Sequence, residues 1–204
     1  MDDCQFVGSL NVAAPYTGTK YGSSSFRDLN SLAVGYSTKM ARDFFRDMLL
    51  RNVGHFPDKL DKQRITDEFD HFDQVFEQID SSQDEGLTCS FVEEQPPRKL
   101  EVSSTVLSMI KNSRKNIRII QPYVQNIAEL EDLLVEAMTE RGVEVEIISA
   151  RNRDQPCYKN FLNSVLFDKL QKNGAKVYEE PYKYLHMKAI EVDDGEKMTV
   201  GSFN

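Results

Sequence analysis

The residues best suited to chemistry lie at the end of the chain, where a histidine and a lysine are two positions apart. His186 and Lys188 are followed by Asp193 and, after a short turn, by Gly-Ser-Phe-Asn at residues 201–204. On an extended strand, side chains two positions apart point to the same face. An imidazole beside an ammonium suits a phosphate, because the lysine can hold anionic oxygens while a neutral histidine attacks phosphorus. The pattern therefore predicts phosphodiester chemistry at this strand end.

A turn of the type Gly-Ser-x-Asn occurs twice, at residues 8–11 and 201–204. Such a turn can bring an amide and a hydroxyl from a neighbouring strand end to the same phosphate oxygens. A lone His-x-Lys pair is usually an ordinary surface pair, but the trailing aspartate and turn favour the functional reading. We expect Asp193, although part of this catalytic pattern, to anchor the strand end rather than react. We also expect the two turns to converge on one cleft.

The remaining histidines and the cysteines give no second centre. Neither His55 nor His71 has a lysine two positions later, so both are predicted to be surface residues. The three cysteines show no metal-ligand spacing and are predicted to be reduced, packed thiols of an intracellular protein: Cys4, Cys89 and Cys157.

Composition narrows the range of partners. The net charge is −8, with 33 acidic residues against 25 basic ones. Proteins that coat a nucleic-acid backbone usually carry a basic surplus, and purely electrostatic membrane binding is disfavoured for the same reason. No apolar run approaches the ~18 residues of a membrane span, and the first residues lack the features of a signal peptide.

From Ser103 onward, the hydrophobic periodicity predicts alternating helices and strands. The expected helices cover 106–114, 127–141 and 158–172, and the expected strands cover 117–120, 143–149 and 175–178. Two last strands, 185–192 and 197–200, are joined by a tight turn and should be antiparallel. Alternation of this kind implies right-handed crossovers and a mainly parallel sheet covered by helices, which predicts a three-layer α/β fold.

The first part of the chain is less regular. Strands are predicted at 2–11 and 26–35 and at 87–92, with a long loop at 12–25. Thr38 is predicted to cap a helix with one apolar face, formed by Met40, Phe44, Phe45, Met48 and Leu49. Residues 65–79 form an amphipathic acidic helix, for which a solvated face over a buried stripe is favoured over an acidic binding surface.

With these motifs in place, the sequence resembles the phospholipase D superfamily, whose signature is His-x-Lys-x4-Asp followed by Gly-Ser-x-Asn. Within it, the chain is most similar to bacterial-type cardiolipin synthases. The shared features are Tyr16-Thr17-Gly18, Gly22, Phe26-Arg27-Asp28, a strand ending in Pro122-Tyr123, and Arg141-Gly142-Val143. It departs from the pattern in the acidic helix around residues 58–80, at Asn30 where histidine is common, and at Gln121 where threonine is.

The resemblance implies a phospholipase D-like three-layer α/β/α sandwich with a mixed, mainly parallel sheet and two pseudo-symmetric halves. Residues 1–97 would be the end of the first half, with the acidic helical insertion at about 58–80. Residues 98–204 would be the second half. The first His-x-Lys is expected just upstream of Met1, so the chain is expected to be a fragment that is inactive by itself.

The resemblance also implies a mechanism without metal or other cofactor. One histidine becomes covalently phosphatidylated and the other acts as general acid and base, the role expected for His186. Lys188 would hold the phosphate with Asn11 and Asn204. Ser9 and Ser202 would shape the site and belong to the same phosphate-binding set.

The implied partners are a phosphatidylglycerol-like phospholipid, an alcohol acceptor and a membrane surface, with nucleic acid disfavoured. The implied location is intracellular and membrane-associated. Two alternatives stay open: a phospholipase D or nuclease-type phosphodiesterase of the same superfamily, and a non-catalytic remnant that keeps the fold without the chemistry.

Overall fold

The computed structural model describes residues 4–8, 29–34, 36–53, 61–76, 90, 92, 94–95, 99–124, 128–150, 157–180 and 185–202. The chain divides into two compact units, one formed by residues 1–6 and 31–92 and the other by residues 7–30 and 93–204. The assignment of 1–97 and 98–204 to two halves of a symmetric domain stays a prediction.

Two helices dominate the first unit. They follow a two-stranded sheet of β1 (Cys4–Gly8) and β2 (Asn30–Val34). The helices are α1 (Tyr36–Asn52) and α2 (Lys62–Phe76), and they pack against each other. Their facing residues include Phe45 and Phe69, whose ring centroids lie 6.4 Å apart.

Helix α2 has the amphipathic character that its sequence predicts. A carboxylate oxygen of Asp61 accepts the amide of Arg64 at 2.7 Å and caps the helix. Ile65 and Phe69 are buried, whereas Asp67 and Asp70 are exposed. At these positions the solvated acidic face over a buried stripe is confirmed; the side chains of Phe72, Phe76 and Ile79 lie outside the described residues.

Helix α1 differs from its prediction at its start. It begins at Tyr36, so Thr38 lies in its first turn and is not its cap. Of the apolar residues predicted to share one face, Met40, Phe45 and Met48 are exposed. The hairpin core is formed instead by Ile65 and Phe69 of α2, and this leaves much of the apolar surface of α1 uncovered.

The second unit contains the remaining elements, beginning with a short hairpin of β3 (Glu94–Gln95) and β4 (Lys99–Leu100). The predicted strand at 87–92 is wrong at its described residues, because 90 and 92 are not in a strand. The other elements are α3 (Glu101–Asn112), β5 (Asn116–Ile120), α4 (Ala128–Thr139), β6 (Glu144–Ala150), α5 (Cys157–Lys172), β7 (Lys176–Glu180), β8 (Ala189–Val192) and β9 (Lys197–Val200).

The last five strands form one mixed sheet in the order β7-β6-β5-β8-β9. Strands β5, β6 and β7 are parallel, while β8 is antiparallel to β5 and β9 is antiparallel to β8. This confirms the predicted α/β class, the mixed sheet and the antiparallel pairing of the last two strands; two of the four pairings are parallel and two are antiparallel.

The core lies between one face of this sheet and helices α3, α4 and α5. Alternate residues of β5 and β6, such as Ile117, Ile119, Val145 and Ile147, are almost fully buried in it. Each of the three helices contributes to the same hydrophobic cluster, so the described helices of this unit form a single layer. None of the described helices is both long enough and apolar enough to cross a membrane.

The opposite face of the sheet carries a row of charged side chains. The guanidinium of Arg118 contacts Glu146 on one neighbouring strand and Glu191 on the other, at 3.2 and 3.1 Å. The hydrogen bond that Arg118 donates to Glu146, together with the charge of Glu191, raises the pKa of Arg118. This row ties β8 to the centre of the sheet and so helps to fix the strand on which the candidate site is built.

Candidate active site

The candidate site lies at the edge of the sheet where the parallel strands end. Ala189 pairs with Ile120, so β8 begins where β5 ends. Ala189 also pairs with Val200, so β9 ends at the same edge. Residues 186–188 and 201–202 are therefore neighbours across this edge, which is where ligands of open α/β sheets bind.

His186 and Lys188 are in direct contact just before β8. The Nζ atom of Lys188 lies 3.2 Å from Nε2 of His186 and donates to the carbonyl oxygen of His186 at 3.0 Å. The lysine is only 5% exposed, whereas His186 is half-buried. The structure therefore brings together the pair that the two-residue spacing predicts.

The contact between these two side chains constrains the protonation of the imidazole. An ammonium group can donate hydrogen bonds but cannot accept them. A hydrogen bond between a charged Lys188 and Nε2 of His186 therefore requires the imidazole nitrogen to accept. The same ammonium, placed beside Nε2, is positioned to hold an anionic oxygen that approaches the imidazole.

The end of β9 lies beside Lys188. The amide of Gly201 donates to the carbonyl oxygen of Lys188 at 3.2 Å, so this amide serves strand pairing. Ser202, the next residue, is exposed at the same edge. The turn was expected to supply an amide and a hydroxyl. The amide of Gly201 is used in strand pairing, so among the described residues the remaining expected donor is the hydroxyl of Ser202.

Three residues of the predicted phosphate-binding set lie outside the described residues: Ser9, Asn11 and Asn204. The expected convergence of residues 8–11 and 201–204 therefore stays a prediction.

A buried hydroxyl fixes the segment that follows β5 at this edge. The amide of Gln121 donates to Ile148 at 3.0 Å, which extends the β5–β6 pairing. Ser149 is fully buried, and its hydroxyl donates to the carbonyl oxygen of Pro122 at 3.3 Å. Sequence reasoning did not single out Ser149, although a serine within an apolar strand is a signal for a buried hydrogen bond.

Asp193 lies at the other end of β8. It is five positions after Lys188, about 16 Å away if the chain is extended. One of its carboxylate oxygens accepts the backbone amides of Arg114 and Lys115 at 2.8 and 2.7 Å. Its amide in turn donates to the carbonyl oxygen of Asn116 at 2.9 Å. The carboxylate thus joins the end of β8 to the start of β5, remote from His186.

The protonation of Asp193 reflects these contacts. Partial burial raises the pKa of its carboxyl group, but the hydrogen bonds from the backbone amides of Arg114, Lys115 and Asn116 outweigh that effect. The net result is a lowered pKa, as expected for a carboxylate whose charged form accepts several hydrogen bonds.

The turn after β8 reinforces the same junction. Asp193, Asp194 and Gly195 all have positive φ, at 57°, 60° and 85°, a region that aspartate tolerates better than most residues. The carboxylate of Asp194 lies 3.2 Å from Nζ of Lys115 and accepts the side-chain amide of Asn116 at 2.5 Å. These hydrogen bonds hold the pKa of Asp194 below its usual value.

Comparison with known proteins relates this chain to cardiolipin synthases. Residues 106–204 match the family model described as "Cardiolipin synthase, PLD-like domain". The chain is 26% identical over 204 residues to the cardiolipin synthase of Geobacillus kaustophilus strain HTA426, and 24% identical over 201 residues to that of Geobacillus thermodenitrificans strain NG80-2. Each match covers 98% of this chain but 37% of the relative, so the chain spans little more than a third of the curated relatives' length.

A solved structure shares the fold. The phosphatidylserine synthase of Haemophilus influenzae Rd KW20 superposes with a TM-score of 0.56 at 14% identity, covering 95% of this chain and 50% of that one. At this identity the likeness concerns the fold alone.

Proposed function

We propose that this chain, a member of the phospholipase D superfamily whose residues 106–204 form a PLD-like domain of the cardiolipin synthase type, is part of a phosphatidyltransferase. The observation that carries the proposal is the contact between Lys188 and His186, 3.2 Å from Nζ to Nε2, at the ligand-binding edge of the sheet. Packing an ammonium against an imidazole does not stabilise the fold. The pair can instead bind a phosphodiester, with the ammonium on its anionic oxygens and the imidazole acting as base or nucleophile.

The reaction would proceed in two displacements. In the first, a histidine nitrogen forms a bond to phosphorus, the bond to the departing alcohol oxygen breaks, and a second histidine donates a proton to that oxygen. In the second displacement, the acid–base histidine takes the proton of the incoming alcohol. The alcohol oxygen then forms a bond to phosphorus, and the bond between phosphorus and the nucleophilic histidine breaks. We assign the acid and base role to His186, which leaves the nucleophilic role to a second histidine outside this chain.

Lys188 would hold the non-bridging oxygens of the phosphate. Its burial leaves the charge weakly solvated, and this increases its attraction for a phosphate that enters the site. Ser202 carries the hydroxyl of the neighbouring turn, and we assign it, with Asn204, Ser9 and Asn11, to the same phosphate. Asp193 would act as a positioning residue, because its carboxylate is bonded to the α3–β5 connection.

The expected substrates are a phosphatidylglycerol-like donor and an alcohol acceptor, both met at a membrane surface. The −8 net charge continues to disfavour a nucleic-acid substrate.

The decisive experiment compares two polypeptides with labelled phosphatidylglycerol: the 204 residues alone, and a polypeptide extended upstream to include a second His-x-Lys motif. We expect the extended form to produce cardiolipin and the short form almost none, since loss of one acid, base or nucleophile typically costs ~10²-fold or more. Equal turnover by both forms would contradict the two-histidine mechanism.

The products separate transfer from hydrolysis. Cardiolipin identifies a transferase, whereas phosphatidic acid as the main product from the same incubation identifies a phospholipase D. Mass spectrometry of the acid-sensitive adduct, trapped within the first turnover, should locate the phosphatidyl group on the upstream histidine. A folded, extended protein that gives neither product would support the non-catalytic alternative.

A further inference from the structure

The residue that directly follows β5 at the candidate site is a glutamine, Gln121. Alternate residues of a strand share one face, so Gln121 continues the face of Ile117 and Ile119, whose side chains are buried in the hydrophobic core. Unlike these two residues, Gln121 is only half-buried. The apolar stripe of β5 therefore ends in a polar side chain at the edge of the sheet.

Gln121 lies opposite Lys188 of the candidate site. Ile120 pairs with Ala189 in the antiparallel register of β5 and β8, and one position further along this register Gln121 faces Lys188. Gln121 is still held in the sheet on its other side, because its amide donates to the carbonyl oxygen of Ile148 at 3.0 Å. The side chains of Gln121 and Lys188 are therefore neighbours across two strand ends.

The pattern of hydrogen bonds between β5 and β8 brings these two side chains close together. The amide of Asp193 donates to Asn116 at 2.9 Å, and hydrogen-bonded pairs alternate with non-hydrogen-bonded pairs along an antiparallel ladder. Gln121 and Lys188 are five positions from that pair, so they form a non-hydrogen-bonded pair, with Cα atoms about 4.5 Å apart. His186 is then the diagonal neighbour of Gln121, roughly 7–8 Å away and within reach of a long side chain.

The carboxamide of Gln121 is available to a ligand. The hydroxyl of Ser149 is used by the carbonyl oxygen of Pro122, and the ammonium of Lys188 donates to the carbonyl oxygen of His186. Within the part of the chain that the structure describes, the carboxamide of Gln121 makes no hydrogen bond. A few polar groups that converge on a site and fix the orientation of a ligand are typical of binding pockets.

We propose that Gln121 is a specificity-determining residue that binds a hydroxyl of the alcohol exchanged at His186, and thereby selects polyols such as a glycerol headgroup. A carboxamide offers an acceptor oxygen and two N–H donors, and a hydroxyl group can pair with either. A phosphate oxygen only accepts, which suits Lys188 better, and a cationic headgroup would be held better by a carboxylate. The inference rests on the proposed function, in which the departing and the incoming alcohol meet the same acid and base.

The test offers the extended protein two acceptor alcohols at equal concentrations, 1,2-propanediol and 1-propanol, with labelled phosphatidylglycerol as the donor. The two alcohols differ by one hydroxyl. In Gln121→Met, whose side chain is similar in size but lacks the carboxamide, the ratio of diol product to propanol product should fall about two- to tenfold, the effect of one hydrogen bond. Gln171→Met, at an exposed position of α5, is the matched control and should leave the ratio unchanged.

The product ratio distinguishes binding of the hydroxyl from a structural role. A substitution that only disturbs the site lowers both products by the same factor, whereas loss of a contact with the second hydroxyl lowers the diol product alone. Circular dichroism and thermal unfolding show that each variant is folded. A folded Gln121→Met protein with an unchanged ratio would overturn the specificity role, whatever its total turnover.

Hydrolysis separates this inference from the proposed function. An extended protein that releases phosphatidic acid without transfer contradicts the phosphatidyltransferase assignment. The role of Gln121 is then decided by the relative rates of hydrolysis of phosphatidylglycerol and phosphatidylpropanol, whose departing alcohols differ in their hydroxyls. A lower preference for phosphatidylglycerol in Gln121→Met supports the role, and an unchanged preference overturns it. An extended protein that acts on neither lipid contradicts both proposals.

Discussion

The two ends of β8 belong to one sequence motif but make different kinds of contact. At its start, His186 and Lys188 touch each other at the open edge of the sheet. At its end, Asp193 accepts two backbone amides from the connection between α3 and β5. The strand between them is held on one side by β5 and on the other by β9. On the proposed function, this short motif would combine reacting groups with the residue that fixes their strand, and we expect substitutions of the two kinds of residue to have different effects.

The largest effect is expected at the reacting end. In an extended, active protein, His186→Ala should lower kcat/KM by roughly 10²- to 10⁴-fold, because a group that transfers a proton in the transition state is lost. Since His186 is only half-buried, urea unfolding should be nearly unchanged. A variant that keeps more than a tenth of the activity would remove His186 from the mechanism.

Lys188→Met should separate activity from stability at the same end. Activity should fall by about 10²- to 10³-fold, because the group that stabilises charge on the phosphate is removed. Unfolding stability should stay equal or rise, since replacing a buried charge by an apolar side chain of similar volume is often neutral or stabilising. Exposed Lys197 in β9 supplies the control, and Lys197→Met should alter neither quantity. A large loss of stability in Lys188→Met would indicate that the ammonium has a structural role.

At the other end of β8, the main loss should be in stability. Asp193→Ala should lower the free energy of unfolding by about 2–3 kcal/mol, because two backbone amides lose a charged acceptor and alanine disfavours positive φ. Asp193→Asn keeps an acceptor oxygen and tolerates the same φ, so its loss should be smaller. Asp168→Ala, at an exposed position of α5, is the matched control and should leave stability unchanged. Equal losses for Ala and Asn would contradict the acceptor role.

A smaller effect should appear in the pH dependence of stability. The pKa of Asp193 in the folded chain is lowered from the usual value of 3.8. Its contribution is therefore fully present above that value and is lost as pH falls through the lower folded pKa. Chemical unfolding followed from pH 6 down to pH 2 should show a steeper acid loss for the unchanged chain than for Asp193→Asn. Parallel curves would mean that the charge of Asp193 contributes no stability.

Much of the second unit could be predicted from sequence because its signals are local and agree with one another. Apolar runs at Ile117–Ile120 and Val143–Ser149, with intervening helical periodicity, fix strand and helix types, and the Asp193–Glu196 turn fixes the antiparallel pair. The His-x-Lys spacing predicted that His186 and Lys188 share one face of a strand at 185–192; they are in contact, but β8 begins only at Ala189.

Other features depend on contacts that no local pattern encodes. Helix α3 begins at Glu101, five residues before its predicted start; Leu100 before it makes no side-chain cap, so the usual start signal is missing. Lys188 is buried beside the end of β9, where its carbonyl oxygen accepts the amide of Gly201, and the anchoring of Asp193 depends on amides 78 and 79 residues away. The exposure of Met40 and Met48 reflects which face α2 covers, a tertiary choice that helical periodicity cannot show.

The most direct measurement sets the two ends of β8 side by side in one extended protein. Activity per folded molecule and free energy of unfolding are determined for His186→Ala and Asp193→Ala under identical conditions. We predict that His186→Ala is stable but inactive, and that Asp193→Ala is less stable but, while folded, within about threefold of the unchanged activity. A fully folded Asp193→Ala protein as inactive as His186→Ala would contradict the division of the motif into a reacting end and an anchoring end.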